Sequence, residues 1–333
     1  EDWALYEREQ GLRWFNRDGL IEKNRKTPLN DDIIDWPQPA EIDGFEFTRV
    51  NTVVNAWQYA ALNDLFKAAE VSGRSDDART FRKLANRLRN ALNEQTYDPQ
   101  IGAYHDGRDT DHTAIHSTLY SVALGVTEDK DLAATGEWLT KDNRLDTVPV
   151  SCNAVAWLLE ALYRSHQDQA ALDVMRSHSQ TSWWSMMHRW GATQTMEAWS
   201  PDIKPNTTFS HPWGASPIVV IARWLLGVQL EEAGASSLII EPHPADLIHV
   251  KGTVITVRGP VDVSIDNGDK TVLSVTLPGN SSGVLRWPLK GHQLEDVSVT
   301  YPDSTESQML SPKKKGDTLE VPLISGTTSV SIR

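Results

Sequence analysis

The spacing of apolar residues changes once along the chain, near residue 233, and that change constrains the fold more than any other feature. Ahead of it, apolar side chains recur at three- and four-residue intervals, the period of a helix with one buried face. Beyond it they alternate, the period of a strand. The expected architecture is a helical domain over 1–233 followed by an all-antiparallel β domain over 234–333, most simply a small sandwich. With 333 residues and 39% hydrophobic content, the chain is long enough for two cores.

Within the helical part, Val53, Val54, Trp57, Ala61, Leu65 and Ala69 predict a buried stripe on a helix over 50–72, ended by Gly73. Ser75 as cap, with Asp76 and Asp77 as first-turn acids, opens the next helix, whose stripe is Phe81, Leu84, Leu88 and Leu92. Further helices are expected over 112–125, 129–140, 150–166, 168–180 (capped by Asp168) and from Pro217 to Gly227, with a weaker pattern over 2–17. About eight helices joined mostly by short loops imply antiparallel hairpins. Residues 18–49 are loop-like, with Pro28, Pro37, Pro39 and Gly44 among many carboxylates. Most of those acids are expected on a solvated surface. Asp35 is the exception, because Trp36 beside it makes a candidate sugar subsite. In the β part, Asn267-Gly268 between two β-rich runs signals a hairpin. Pro278-Gly279 and Ser282-Gly283 mark a further turn, and Lys313-Lys314-Lys315 an exposed one.

Charge and composition exclude several functions. A net charge of −13 opposes phosphate binding, so nucleic acid is not an expected partner. No apolar run reaches the ~18 residues of a membrane span. The single cysteine, Cys152, cannot form an intrachain disulfide and is expected as a buried thiol. His105, His112 and His116 do not by themselves complete a metal site, so neither metal nor cofactor is expected. The compositional oddity is tryptophan: 13 residues, of which Trp183, Trp184, Trp190, Trp199 and Trp213 lie close together in sequence around one carboxylate, Glu197. Indole faces stack on sugar rings, and a carboxylate beside apolar rings can have its pKa raised for acid–base work. The plainer alternative is a core cluster with Glu197 paired to Arg189.

Two stretches resemble bacterial α-L-rhamnosidases, inverting glycosidases with an (α/α)6 helical-hairpin barrel and a C-terminal β-sandwich. The first is Ser182-Trp183, then Gly191-Ala192-Thr193 leading to Glu197 and Trp199. The second runs through Ser210-His211, Trp213-Gly214, Leu226-Gly227-Val228, Ile240-Glu241-Pro242-His243 and Lys251-Gly252-Thr253 to Arg258-Gly259-Pro260. Asp35-Trp36 and Leu158-Leu159-Glu160-Ala161-Leu162 also fit. The resemblance implies hydrolysis of terminal α-L-rhamnosides with Glu197 as the base that activates water, and a sugar site lined by Asp35, Trp36, Trp183 and His211. Trp190 and Trp213 join them by proximity in sequence.

The chain also departs from that family. The Asp- and Arg-rich loop that carries the family's general acid is not found, and about eight helices fall short of the twelve of a full barrel. Glu1 followed closely by Trp3 and Phe15 is what an interior cut through a longer polypeptide would give. The barrel is therefore expected to be incomplete, its N-terminal helices and the acid carried on the remainder of the same enzyme. Asp35 or Glu41 would otherwise have to serve as the acid. The competing expectations are a helical-barrel glycosidase for another sugar and a non-catalytic carbohydrate-binding or structural fragment.

Overall fold

The computed structural model describes residues 13–23, 28–37, 43–302 and 310–332. It comprises two compact units, one ending at Ser216 and one beginning at Pro217.

The first unit opens with an antiparallel pair, β1 (Arg13–Phe15) and β2 (Ile21–Lys23). Six helices follow: α1 (Thr52–Val71), α2 (Ser75–Thr96), α3 (Ile115–Ala123), α4 (Leu132–Thr140), α5 (Val155–Arg164) and α6 (Asp168–Arg176). A two-residue ladder, β3 (Tyr97–Asp98) with β4 (Ala103–Tyr104), joins α2 to α3. The short α7 (Trp183–His188) comes next, and α8 (Ser216–Val220), running on as a π-turn to Leu225, begins at the boundary between units.

The helices pair in sequence as hairpins, α1 with α2, α3 with α4 and α5 with α6. The first member of each pair packs on the next, α1 on α3 and α3 on α5. Their sequences fit these positions. In α2 the buried residues, Ala78, Ala85, Leu88, Ala91 and Leu92, form one stripe, and the remaining surface is charged, as suits an outer helix. In α3 all nine residues are buried, His116, Ser117, Thr118 and Ser121 included, because it has neighbours on both sides. Its hydroxyls are satisfied locally: Ser121 donates to the Ser117 carbonyl at 2.7 Å, and Thr118 accepts from the Tyr104 amide at 2.9 Å.

Helix α1 corrects an expectation. Ala56, Leu62 and Ala69 face the unit's interior, while Trp57 and Leu65 remain 40% and 47% exposed and Ala61 and Ala68 are also exposed. The stripe expected to be buried is split between two apolar faces, of which only one is covered. Its N-terminus is capped by Asn51, whose side chain accepts from the Val54 amide at 3.2 Å. By contrast Ser75 and Asp168, expected as caps, are the first residues of α2 and α6, and neither helix start has a side-chain cap. Residues 13–15 are strand rather than helix, and the rest of the 2–17 segment lies outside the described residues.

The second unit holds two five-stranded sheets. Its strands are β5 (Val228–Leu230), β6 (Ser237–Ile240), β7 (His249–Thr256), β8 (Gly259–Asn267), β9 (Thr271–Leu277), β10 (Ser282–Pro288), β11 (Val297–Thr300), β12 (Lys313–Lys315), β13 (Thr318–Leu323) and β14 (Gly326–Ile332); one sheet has the order β12-β13-β10-β6-β5, the other β11-β14-β9-β8-β7. Alternating inward residues of both, among them Leu238, Ile240, Val261, Val263, Leu273, Val275, Leu285, Val321 and Val330, form a single core. Leu225 and Leu226 belong to this core. Residues 217–227 thus fall in the second compact unit. The Asn267-Gly268 hairpin forms, joining β8 (Gly259–Asn267) to β9 (Thr271–Leu277). The sheet is not wholly antiparallel: β10 (Ser282–Pro288) runs parallel to β6 (Ser237–Ile240). Gly283, read from sequence as a turn residue, lies in β10, where a Cβ would meet the Leu238 carbonyl oxygen at 2.3 Å. Lys313–Lys315 form the exposed edge strand β12 rather than a turn.

Candidate active site

In the described parts of the 28–50 segment Asp43 and Glu46 are exposed, as expected of most of its acids, but Asp32 as well as Asp35 is buried. Lys23 and Asp32 pair at 3.1 Å with side chains 2% and 1% exposed; Lys23 also donates to the Leu29 carbonyl, and Asn51 to Asp32 at 3.3 Å. Asp106, itself buried, accepts from the amides of Glu46 and Ala114 and from the Ser117 hydroxyl, and its Oδ2 lies 2.6 Å from His112 Nδ1. These anchors fix the loop at both ends of the Asp35-Trp36 element.

Asp35 has no exposed side-chain surface. Its Oδ1 accepts from the Trp36 amide at 2.8 Å and from the Ser151 hydroxyl. Its Oδ2 accepts from the Ser151 amide at 2.9 Å and lies 2.9 Å from His116 Nε2. Four partners occupy both oxygens. Asp35, Trp36, Ile33, Ile34, Trp57, Tyr120, Asn153 and Trp213 line a cavity of about 560 Å³, within the range of small-molecule sites. Trp57 stands edge-on to Trp157 and tilts against Tyr120, so the aromatic wall is itself packed. Burial first, then the charge of Asp35, pushes the Tyr120 phenol far above its ordinary pKa, so it remains a neutral donor.

Glu197 is not among the residues that line this cavity; its backbone carbonyl accepts from the thiol of Cys152, the neighbour of the lining residue Asn153. The chain around it is doubled back: the Glu197 amide donates to Thr208 O at 3.0 Å, and the His211 amide to Thr195 O at 2.8 Å. Its carboxylate is 15% exposed and accepts at Oε2 from Lys204 Nζ at 3.1 Å and from the Thr208 amide and hydroxyl at 3.2 and 3.3 Å. Burial alone would raise its pKa. The hydrogen bonds from Lys204 and Thr208 and the charges of Lys204 and His211 outweigh that and hold it below the usual range. This reverses the expected raised value, and the cation that pairs with it is Lys204, not Arg189. Arg189 instead lies over the Trp190 ring. Lys204 was missed by sequence reasoning because it lies seven positions beyond Glu197 along a loop, with no helical register to bring them together.

The predicted sugar-site residues divide into three groups. Asp35, Trp36 and Trp213 line the cavity. His211 stands edge-on to Trp213 at 4.6 Å and connects the cavity wall to Glu197. Trp183 and Trp190 do not line it. The Trp183 indole donates to the Gly214 carbonyl at 2.6 Å and packs edge-on against the buried Trp199, and Trp190 Nε1 has no partner among the described residues. Glu41 lies outside the described residues. Trp57, Tyr120 and Asn153 are cavity residues that the sequence did not single out; Trp57 had been assigned to a core stripe. Cys152 is buried, as expected, and its thiol donates to the Glu197 carbonyl at 2.8 Å. Among the described residues no group of three or more His, Cys, Asp and Glu is placed to hold a metal, and no helix is long and apolar enough to cross a membrane.

Together these features define a helical-hairpin domain with an aromatic-walled, acid-bearing cavity, followed by a β-sandwich. The chain belongs to the bacterial α-L-rhamnosidase six-hairpin glycosidase domain family, whose model matches residues 12–225. Solved structures share the fold. An α-L-rhamnosidase from Dictyoglumus thermophilum matches with a TM-score of 0.68 at 19% identity, over 83% of this chain and 31% of its own. One from Streptomyces avermitilis, complexed with L-rhamnose, matches at 0.69 and 16%, over 91% and 29%. One from Aspergillus terreus matches at 0.70 and 16%, over 96% and 34%. The chain thus spans about a third of the length of each. No curated protein sequence matches it.

Proposed function

We propose that this chain carries the sugar cavity and the base of an inverting α-L-rhamnosidase. The observation that supports this most directly is Glu197, a carboxylate held ionised by Lys204 and Thr208, whose backbone is tied through Cys152 to the segment carrying the cavity residue Asn153. In this reading a rhamnose ring lies against Trp36, Trp57 and Trp213. Glu197 takes a proton from water as the water attacks the anomeric carbon, and a second carboxyl group, roughly 6.5–9.5 Å away, protonates the departing oxygen. Asp35 is poorly suited to be that acid, because it has no exposed surface and both its oxygens are occupied. Its role is to hold the cavity wall. The acid is then Glu41 or a carboxyl group carried elsewhere in the enzyme.

The open face of α1 beyond the cavity, Ala61, Leu65 and Ala68, supports the same division of labour. Alanines at helical spacing allow close approach, and a helix apolar on two sides calls for a second partner. We propose that a further helix of the same enzyme, beyond the described residues, covers it.

The test is hydrolysis of an aryl α-L-rhamnoside by a complete enzyme containing this chain, with NMR of the first-formed anomer. Inverted product and a loss of at least ~10²-fold in kcat for Glu197→Gln are expected. Retained configuration or full activity of the variant would overturn the reading. Because every oxygen of Asp35 is occupied, the alternative of a chain that binds sugar without turning it over is also specific. L-rhamnose binding by calorimetry, with no turnover even in the complete enzyme, would favour it.

A further inference from the structure

We infer that Asn153 is a specificity-determining, sugar-hydroxyl-binding residue, and that the segment 150–153 ahead of α5 positions it; this rests on the rhamnoside reading above. Each residue of that segment makes a different contact with the site. The Val150 carbonyl accepts from the indole of Trp199, two residues past Glu197, at 2.7 Å. Ser151 binds Asp35 through both its amide and its hydroxyl. The Cys152 thiol donates to the Glu197 carbonyl. Asn153 projects into the cavity wall.

The Ser151 hydroxyl fixes the local geometry. Its one proton goes to Asp35 Oδ1, and its oxygen accepts from the amides of Asn153 at 3.1 Å and Ala154 at 3.0 Å. That uses its full hydrogen-bonding capacity, so Asp35 orients Ser151 and Ser151 orients the Asn153 backbone.

The remaining cavity residues leave a role for the Asn153 side chain. Ile33, Ile34, Trp36, Trp57 and Trp213 present mainly apolar surface, Asp35 is already saturated, and Tyr120 offers a single phenol hydroxyl. Asn153 is the one carboxamide among the eight lining residues, and its side chain, unlike its backbone amide, makes no hydrogen bond to another described residue. A pyranose stacked on indoles still needs its hydroxyls recognised. A carboxamide, with donors and an acceptor in one plane, can pair with two neighbouring hydroxyls. A site built to hydrogen-bond a hydroxyl discriminates strongly against a sugar that cannot present it.

The experiment is titration calorimetry of L-rhamnose and of its 2-epimer, 6-deoxy-L-glucose, into a complete enzyme containing this chain and into three variants of it, with thermal unfolding run alongside. Asn153→Ala is expected to weaken L-rhamnose binding about tenfold or more and to narrow the preference over the epimer, with little change in Tm. Ser151→Ala, which removes no cavity group, should also weaken binding, and Ser151→Thr, which keeps the hydroxyl, should restore it. Unchanged affinity and epimer preference in Asn153→Ala would overturn the assignment while leaving the rhamnoside reading intact. A loss of affinity that merely follows a fall in Tm, with no rescue by threonine, would make the segment structural only. Absence of L-rhamnose binding by the unsubstituted complete enzyme would overturn the functional reading itself, and this inference with it.

Discussion

Replacing Asp35 by asparagine tests whether this residue is a wall element or a solvated acid. The change is isosteric, so it leaves no cavity. It swaps one acceptor oxygen for an NH2 group at a position where both oxygens accept. Whichever way the amide turns, the NH2 faces one backbone donor, the Trp36 amide on one side or the Ser151 amide on the other. The Ser151 hydroxyl can rotate and His116 can present its other tautomer, but a backbone N–H cannot adapt. One buried N–H is therefore left unsatisfied, which costs about 1–3 kcal/mol. The surviving bonds lose their charge assistance, roughly a further 1 kcal/mol. The expected loss is about 2–4 kcal/mol, with Asp35→Ala larger because four donors lose their partner. Urea unfolding followed by tryptophan fluorescence suits the measurement, since every tryptophan except Trp224 and Trp287 precedes Pro217 and so reports on the first unit. A loss below about 0.5 kcal/mol, the usual effect of a surface substitution, would refute the account of Asp35 as a saturated buried acceptor.

Three further outcomes follow from the same contacts. Lys204→Met removes the main group lowering the Glu197 pKa, so that pKa rises; because the base works deprotonated, the acid limb of a kcat/KM–pH profile in the complete enzyme should move to higher pH, and an unmoved limb would separate Glu197 from that limb. Lys23→Met leaves Asp32 buried with Asn51 as a remaining donor and should cost about 3–5 kcal/mol in unfolding, whereas the double change Lys23→Met with Asp32→Leu should recover most of it. On α1, Leu62→Ala should cost about 2–5 kcal/mol and Leu65→Ala under about 1 kcal/mol in this chain; similar losses at both positions would mean that the outer stripe is already covered.

The fold was legible in the sequence because it depends on local periodicity. The switch of period separates helices from strands, and short loops make the hairpins. Boundaries and coverage were less legible for one physical reason. Period reports that a face is apolar, not what lies against it. Trp57 and Leu65 satisfy the helical pattern as well as Leu62 does, yet only Leu62 is buried. Leu225 and Leu226 continue a helical pattern but pack into the sandwich core.

The site shows the same limit at the level of single residues. Sequence motifs identified Glu197, Asp35 and Trp36, since residue type and near neighbours suffice for that. What each carboxylate does depends on partners that sequence spacing does not reveal. Asp35 meets His116 across 81 residues and Ser151 across 116, and those contacts turn an acid in a polar loop into a saturated buried acceptor. Glu197 meets Lys204 within seven residues, but through a loop that doubles back, and that contact lowers a pKa that its aromatic surroundings were expected to raise. The two carboxylates thus diverge in opposite directions from their sequence reading. One is withdrawn from solvent with no lone pair to spare, and the other is kept ionised and partly exposed. This divergence argues for assigning the base to Glu197 and a positioning role to Asp35, and neither assignment could be made from residue type alone.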